Sequence, residues 1–254
     1  MAKKILILGA GVYNINVIKE IKQIGYEVIA LDRDQNAPGF SYADKFSAID
    51  IVNRNAVLEY ARKYNIDGIM PINDFGVRTA CYVSQKLNLI GNSLATGICA
   101  NDKGMMRDLW SSEGLAQPNY VILNKDFSDF DYIIKKLDYP VVVKPTDCGG
   151  GGRGISIAQN NDDLLFSIQH ASKFAKNKRI IVESYIEGTE LTIDALSYKG
   201  EVHILSISDK EKPEQKFRVA TNLNFPANIT DNQRKKVEDL RSEEHTSELQ
   251  SPNT

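Results

Sequence analysis

Three cysteines, three histidines and a single tryptophan in 254 residues leave little material for several common chemistries. Cys81, Cys99 and Cys148 have no Cys-x-x-Cys spacing, which argues against a zinc framework and fits a reducing, cytoplasmic setting. His170, His203 and His245 spell out neither a metal cluster nor a dyad, so no His or Cys nucleophile is expected. Long apolar runs are missing too. No stretch approaches the roughly 18 residues a membrane helix needs, and the core Ile5-Leu6-Ile7-Leu8 is too short for a leader peptide. Charge of one sign is also lacking: 31 Lys and Arg against 33 Asp and Glu give −2, no footprint for nucleic acid or an anionic membrane. The expected partners are small molecules, with a homodimer as the assembly left open. Hydrophobic residues at 42% and charged residues at 25% exclude disorder and fibrous repeats.

What is present is a change of rhythm along the chain. Residues 3–8 form an Ile/Leu run closed by Gly9, a buried-strand signal. Val12, Ile15, Ile18 and Ile21 follow at helical spacing and stop near Gly25. A second strand at 27–31 ends at Asp32, a helix spans 56–61, a strand 68–71 and a helix 77–87, which leads to Leu89-Ile90-Gly91. Strands alternating with helices predict a parallel, doubly wound α/β unit ending near residue 92. Beyond a helical connector holding Lys103, Met106, Arg107 and Trp110, the pattern becomes α+β. It reads as strands at 120–123, 140–144, 155–158 and 180–184, a helix at 127–137, and a hairpin of 191–198 with 201–207 across Lys199-Gly200.

Two glycine clusters carry possible chemistry. Gly9-Ala10-Gly11, between strand and helix with Asp32 further on, invites a dinucleotide reading with Asp32 on a ribose; Asn14 replaces the third glycine of that motif. The alternative is a tight strand-to-helix turn without a cofactor. Asp147-Cys148-Gly149-Gly150-Gly151-Gly152-Arg153-Gly154 lies between two strands and lacks Gly-Lys-Ser/Thr, so it is not a P-loop. A glycine-rich turn between adjacent strands can instead fold its amides over phosphates. Lys144, ending the strand that enters this flap, is expensive in apolar surroundings unless its ammonium meets an anion. Lys103 is a second candidate cation. Glu183 and Glu190 flank the Gly188 bend and could face one cleft. Together these residues suggest a nucleoside triphosphate site.

Pro140-Val141-Val142-Val143-Lys144-Pro145, the flap at 149–154 and Val182-Glu183-Ser184-Tyr185-Ile186-Glu187-Gly188-Thr189-Glu190 resemble the ATP-grasp superfamily of carboxylate–amine ligases. The resemblance implies a parallel doubly wound pre-ATP-grasp domain at 1–92, into which Gly9-Ala10-Gly11, Pro38-Gly39 and Ala43-Asp44 fit, and a connector at 93–118. An incomplete ATP-grasp domain with mixed and antiparallel sheets would follow, one lobe at 119–184 and the start of the other at 185–240. It also implies roles: Lys103 and Lys144 on phosphates, Gly149, Gly150, Gly151, Gly152 and Gly154 as the lid, and Arg153 as a secondary phosphate contact. Glu183 would sit at the adenine amino group, Ser184, Tyr185 and Ile186 at the adenine hinge, and Glu190 on the ribose. ATP and Mg²⁺ are the implied cofactors, and a carboxylate and an amine the implied substrates, joined through an acyl phosphate. Lys210 and Arg218, in a stretch expected to be a loop, receive no role.

The resemblance breaks at the far end. The family's Mg²⁺-holding acid and later Glu-x-Asn pair cannot be placed before Leu240. Residues 241–251, Arg-Ser-Glu-Glu-His-Thr-Ser-Glu-Leu-Gln-Ser, resemble the in-frame translation of a common sequencing adapter, so 241–254 stand outside the fold reasoning. The expectation is that the parent protein is an enzyme whose magnesium ligands follow Leu240, and that this chain binds nucleotide at best. A biotin- or bicarbonate-using carboxylase, an NAD-dependent oxidoreductase and a non-catalytic nucleotide-binding module are the competing readings.

Overall fold

The computed structural model describes residues 2–123, 130–149, 152–198, 201–211 and 220–250. The chain divides into two compact units, one up to Asn101 and one from Asp102 onward.

The first unit contains β1 (Lys4–Leu8), α1 (Ile15–Gln23), β2 (Glu27–Asp32), β3 (Lys45–Ala48), α2 (Arg54–Tyr64), β4 (Gly68–Pro71), α3 (Asp74–Leu87) and α4 (Leu94–Cys99). Its four strands are parallel in the order β3-β2-β1-β4. Alternation along β1 and β2 sorts the core to both faces. Ile7, Val28 and Ala30 meet Ile18 of α1, whereas Leu6, Leu8, Ile29 and Leu31 meet Val57, Leu58 and Ala61 of α2 and Val83 of α3. That is the doubly wound arrangement the alternating pattern predicts. Two details differ from the expectation. The helix after Gly11 opens with a 3-10 turn, Val12–Asn14, before α1 begins. Strand β3 was unforeseen.

The second unit contains α5 (Lys103–Ser112), β5 (Tyr120–Leu123), α6 (Phe130–Lys136), β6 (Val141–Pro145), β7 (Ser156–Ala158), α7 (Asn161–Ser172) and β8 (Ile180–Ser184). β9 (Leu191–Tyr198), β10 (Glu201–Glu211), β11 (Asn222–Asn224) and α8 (Asp231–Gln250) complete it. Its strands form two antiparallel sheets, β5-β8-β6-β7 and β11-β10-β9. In the four-stranded sheet Val141, Val143, Ile180 and Val182 pack with Ile133 of α6, with Leu137 just after it, and with Leu164 and Ile168 of α7. The opposite face, carrying Val142, Lys144, Ile181 and Glu183, is therefore turned away from that core. Helix α5 approaches this other face. Its buried Gly104 lies so near the sheet that a Cβ there would stand 3.2 Å from Ile122 Cδ1 and 3.3 Å from Thr146 Cγ2. The expected helix at 127–137 falls partly outside the described residues, as do the Lys199-Gly200 turn and Arg218. β10 runs four residues past the expected end, so Lys210 is a strand residue and not part of a loop. Residues 241–250, which stood outside the fold reasoning, continue α8.

Candidate nucleotide site

The site is built where β6, β8 and α5 meet. In the β6–β8 ladder Lys144 stands opposite Ile181 and Val142 opposite Glu183, so Lys144 and Glu183 are diagonal neighbours on one face. The Lys144 ammonium bonds Glu183 Oε2. Arg107 Nε of α5 donates to the other oxygen, Oε1, at 2.9 Å. The Glu183 side chain is only 3% exposed, against 17% for Arg107 and 22% for Lys144. Burial opposes ionisation of Glu183, but the Lys144 charge, and then the Arg107 hydrogen bond and charge, outweigh it and hold the carboxyl below its ordinary range.

That depression sets a sign. A carboxyl titrating lower in the folded chain adds stability above its unfolded value, near 4.5, and this stability is lost as pH falls through the lower folded value. Urea midpoints followed through the fluorescence of the single tryptophan, Trp110 of α5, are expected to fall below about pH 4. The E183Q chain should lose less over the same interval, and parallel curves would remove this linkage.

Helix α5 is held by its first turn. Buried Asp102 caps it, accepting from the Gly104 and Met105 amides at 2.9 and 3.1 Å through Oδ1. Its Oδ2 accepts from Asn177 Nδ2 at 2.9 Å, with Arg179 at 3.7 Å. The Lys103 amide donates to Thr146 O at 2.9 Å, which fixes Lys103 beside the end of the strand carrying Lys144. Lys103 makes no ion pair among the described residues.

Beyond Pro145 the chain enters the flap. Gly149, Gly152 and Gly154 have φ of +72°, +69° and +71°, conformations that β-carbons penalise. At Gly154 a Cβ would also come within 2.9 Å of Phe174 Cδ2 and 3.0 Å of Pro145 Cγ. Gly150 and Gly151 lie outside the described residues. The exposed Arg153 turns back on the loop, its Nη2 donating to Cys148 O at 3.3 Å.

At the end of β8, Ser184 and Tyr185 use their amides on Asn119 O at 2.9 Å and Pro140 O at 3.1 Å. Ile186, 67% exposed, follows them. Glu190 lies in the turn before β9, and its Oε1 pairs with Lys210 Nζ of β10 at 2.9 Å while its carbonyl accepts from the Lys210 amide at 3.0 Å. The structure thus joins Lys144 directly to Glu183, sets Lys103 two residues from Lys144 through Thr146, and couples Glu190 to Lys210. No bond links Glu190 to Lys144 among the described residues. Sequence reasoning missed Arg107 and the Asp102–Asn177 cap. The available signal for Arg107 was its position one helical turn after Lys103.

In the first unit Asp32 serves the turn itself. Its Oδ2 accepts from Ala10 N at 2.8 Å and its Oδ1 from Asp34 N at 3.0 Å, while Gly39 N donates to Ala10 O at 2.8 Å. Both carboxylate oxygens being engaged by backbone, the tight-turn alternative accounts for Gly9-Ala10-Gly11.

A parallel doubly wound unit followed by antiparallel sheets, with a lysine on the strand that leads into a glycine flap paired to a buried glutamate, is the build of an ATP-grasp protein. The chain belongs to that superfamily: residues 109–246, more than half of it, match the D-ala D-ala ligase C-terminus family, and residues 5–91 match the PylC-like N-terminal domain. Among curated relatives, the formate-dependent phosphoribosylglycinamide formyltransferase of Prochlorococcus marinus (strain NATL2A) is 32% identical over 191 residues, 73% of this chain and 48% of that one. The enzyme of the same name from Histophilus somni is 30% identical over 190 residues, again 73% and 48%. The chain spans about half the length of these relatives. Among solved structures, phosphoribosylglycinamide synthetase from Anaerococcus prevotii superimposes with a TM-score of 0.76 at 24% identity, covering 98% of this chain and 62% of that one. N5-carboxyaminoimidazole synthetase from Staphylococcus aureus, complexed with ADP, gives 0.79 at 19%, covering 100% and 65%. The biotin carboxylase domain of the Hydrogenobacter thermophilus 2-oxoglutarate carboxylase gives 0.78 at 22%, covering 98% and 58%.

Proposed function

We propose that this chain is the nucleotide-binding part of an ATP-dependent ligase that joins a small carboxylic acid to an amine. The observation that carries the reading is the ion-paired cluster Lys144–Glu183–Arg107 on the sheet face beside the flap. A carboxylate is a resonance-stabilised anion and a poor electrophile. In the proposed reaction one of its oxygens takes the γ-phosphoryl group, ADP leaves, and the amine nitrogen then attacks the acyl carbon and expels phosphate. The protein's share is positioning and charge neutralisation. Lys144 and Lys103 supply cations to the phosphates, and the flap amides around Gly149, Gly152 and Gly154 supply donors, with Arg153 as a further contact. Glu183 offers an acceptor to the base amino group, the backbone at Ser184, Tyr185 and Ile186 borders the base, and Glu190 accepts from the ribose. With the Ser184 and Tyr185 amides engaged, Ile186 is the hinge amide left for the base.

These residues fit a nucleoside triphosphate: a buried acid with exchangeable cation partners beside glycines in conformations that expose amides. Among the described residues no group of three or more His, Cys, Asp or Glu side chains could hold a metal ion, so magnesium enters as the usual companion of ATP with no ligand assigned. When bound it would offset the charge of the β- and γ-phosphates. The names of the curated relatives, formate-dependent phosphoribosylglycinamide formyltransferases, support a carboxylate and an amine as substrates. Likeness to biotin carboxylase keeps bicarbonate as a second acceptor reading. No helix among the described residues is long and apolar enough to cross a membrane, and a cytoplasmic protein acting on small molecules, as a homodimer, is the setting proposed. Competing titrations of the chain with ATP and NADH test the reading. ATP binding lost in the Lys144→Ala chain supports it, and NADH binding indifferent to that change would overturn it.

A further inference from the structure

We propose that Arg107 is a positioning residue of the nucleotide site: it keeps Glu183 fixed and charge-balanced while Lys144 leaves it for a phosphate. This rests on the nucleotide reading above and adds a division of labour between the two cations.

The two oxygens of Glu183 are held separately, Oε1 by Arg107 and Oε2 by Lys144. Arg107 is restrained along its length. Its carbonyl accepts from Gln117 Nε2 at 3.0 Å, its guanidinium lies 5.1 Å from the Trp110 ring centre, and the helix that carries it is pinned by the Asp102 cap. A planar guanidinium so placed loses little further freedom in holding a carboxylate. Lys144 is more exposed, its ammonium sits on a flexible four-carbon stem, and it lies one residue before the end of the strand that enters the flap. If Lys144 were the sole partner, its departure would strand a carboxylate that is 3% exposed, and the cost of that unpaired charge would oppose nucleotide binding. With Arg107 in place one cation remains. The other groups facing Glu183 do not substitute for it. Tyr120, its cross-strand neighbour on β5, donates its hydroxyl to Asp108 of α5 at 2.9 Å, and Ile181 and Val142 are apolar.

The test is ATP affinity of the 254-residue chain, of R107M and of R107M/E183Q, between about pH 8 and pH 6. In R107M the lysine can leave only if Glu183 takes up a proton. Affinity at pH 8 should fall tenfold or more, then recover on acidification relative to the parent chain, by at most about tenfold per pH unit for one linked proton. R107M/E183Q, in which no carboxylate is left to strand, should bind ATP more tightly than R107M at pH 8 and lose the extra pH slope. A merely structural role would lower affinity with a slope parallel to the parent's and without rescue by E183Q, and that result overturns the proposal, as does unchanged affinity in R107M. Absence of ATP binding by the parent chain would defeat the nucleotide reading and this proposal together. Parent binding with a slope shared by R107M would defeat this proposal alone.

Discussion

Glu183→Ala is expected to destabilise the second unit by about 3 kcal/mol, the lower end of the cost of removing one member of a buried ion pair. The change leaves Lys144 and Arg107, both positive and both held on the same acid, facing each other with no anion between them. Their exposures of 22% and 17% let them turn partly toward water, which is why the lower end applies. Trp110 is the only tryptophan and lies on α5 beside Arg107, so its fluorescence during urea unfolding reports on this unit alone. A loss below about 1 kcal/mol would mean that the cluster behaves like a surface pair.

The second large effect concerns ligand. Lys144→Ala should weaken ATP binding by well over tenfold, because a hydrogen bond to a charged group contributes about 1.5–3 kcal/mol. The substitution also strips Glu183 of one partner, so the affinity must be read on chain still folded by the Trp110 signal. Lys144→Ala combined with Glu183→Gln removes both buried charges at once and separates the two contributions. An ATP affinity within a factor of two of the parent's in folded Lys144→Ala chain would reject the phosphate role for this lysine.

Much of this was legible because burial wrote it into the sequence. Val141-Val142-Val143 before Lys144, and Ile180-Ile181-Val182 before Glu183, are apolar runs that end in a charge, and a charge at the end of a buried strand implies a partner. The bounds of β8 matched expectation for the same reason, and those of β9, which has no fully buried residue, matched through its hairpin pattern with β10. What escaped was fixed by pairing between distant segments. β3, Lys45-Phe46-Ser47-Ala48, is largely exposed, and pairing with the edge of β2 makes it a strand. β10 extends through Lys210 because Asp209, Lys210 and Glu211 pair with Asn224, Leu223 and Asn222. Arg107 escaped because its partner lies 76 positions away, and an arginine on a short polar helix reads as a solvated charge until α5 is set against β8. Asp32, an acid at the spacing of a ribose acceptor, fastens its own turn, in keeping with the tight-turn reading of Gly9-Ala10-Gly11.

The central claim is that the Lys144 ammonium changes partner from Glu183 to a nucleotide phosphate, and labelling of lysines by a small acylating reagent, read by mass spectrometry with and without ATP, tests it without altering the chain. The account predicts that ATP lowers labelling of Lys144 and Lys103 severalfold and leaves the exposed Lys136 of α6, on the far side of the sheet, unchanged. Labelling of Lys144 that ignores ATP, or is suppressed by NADH instead, would contradict it.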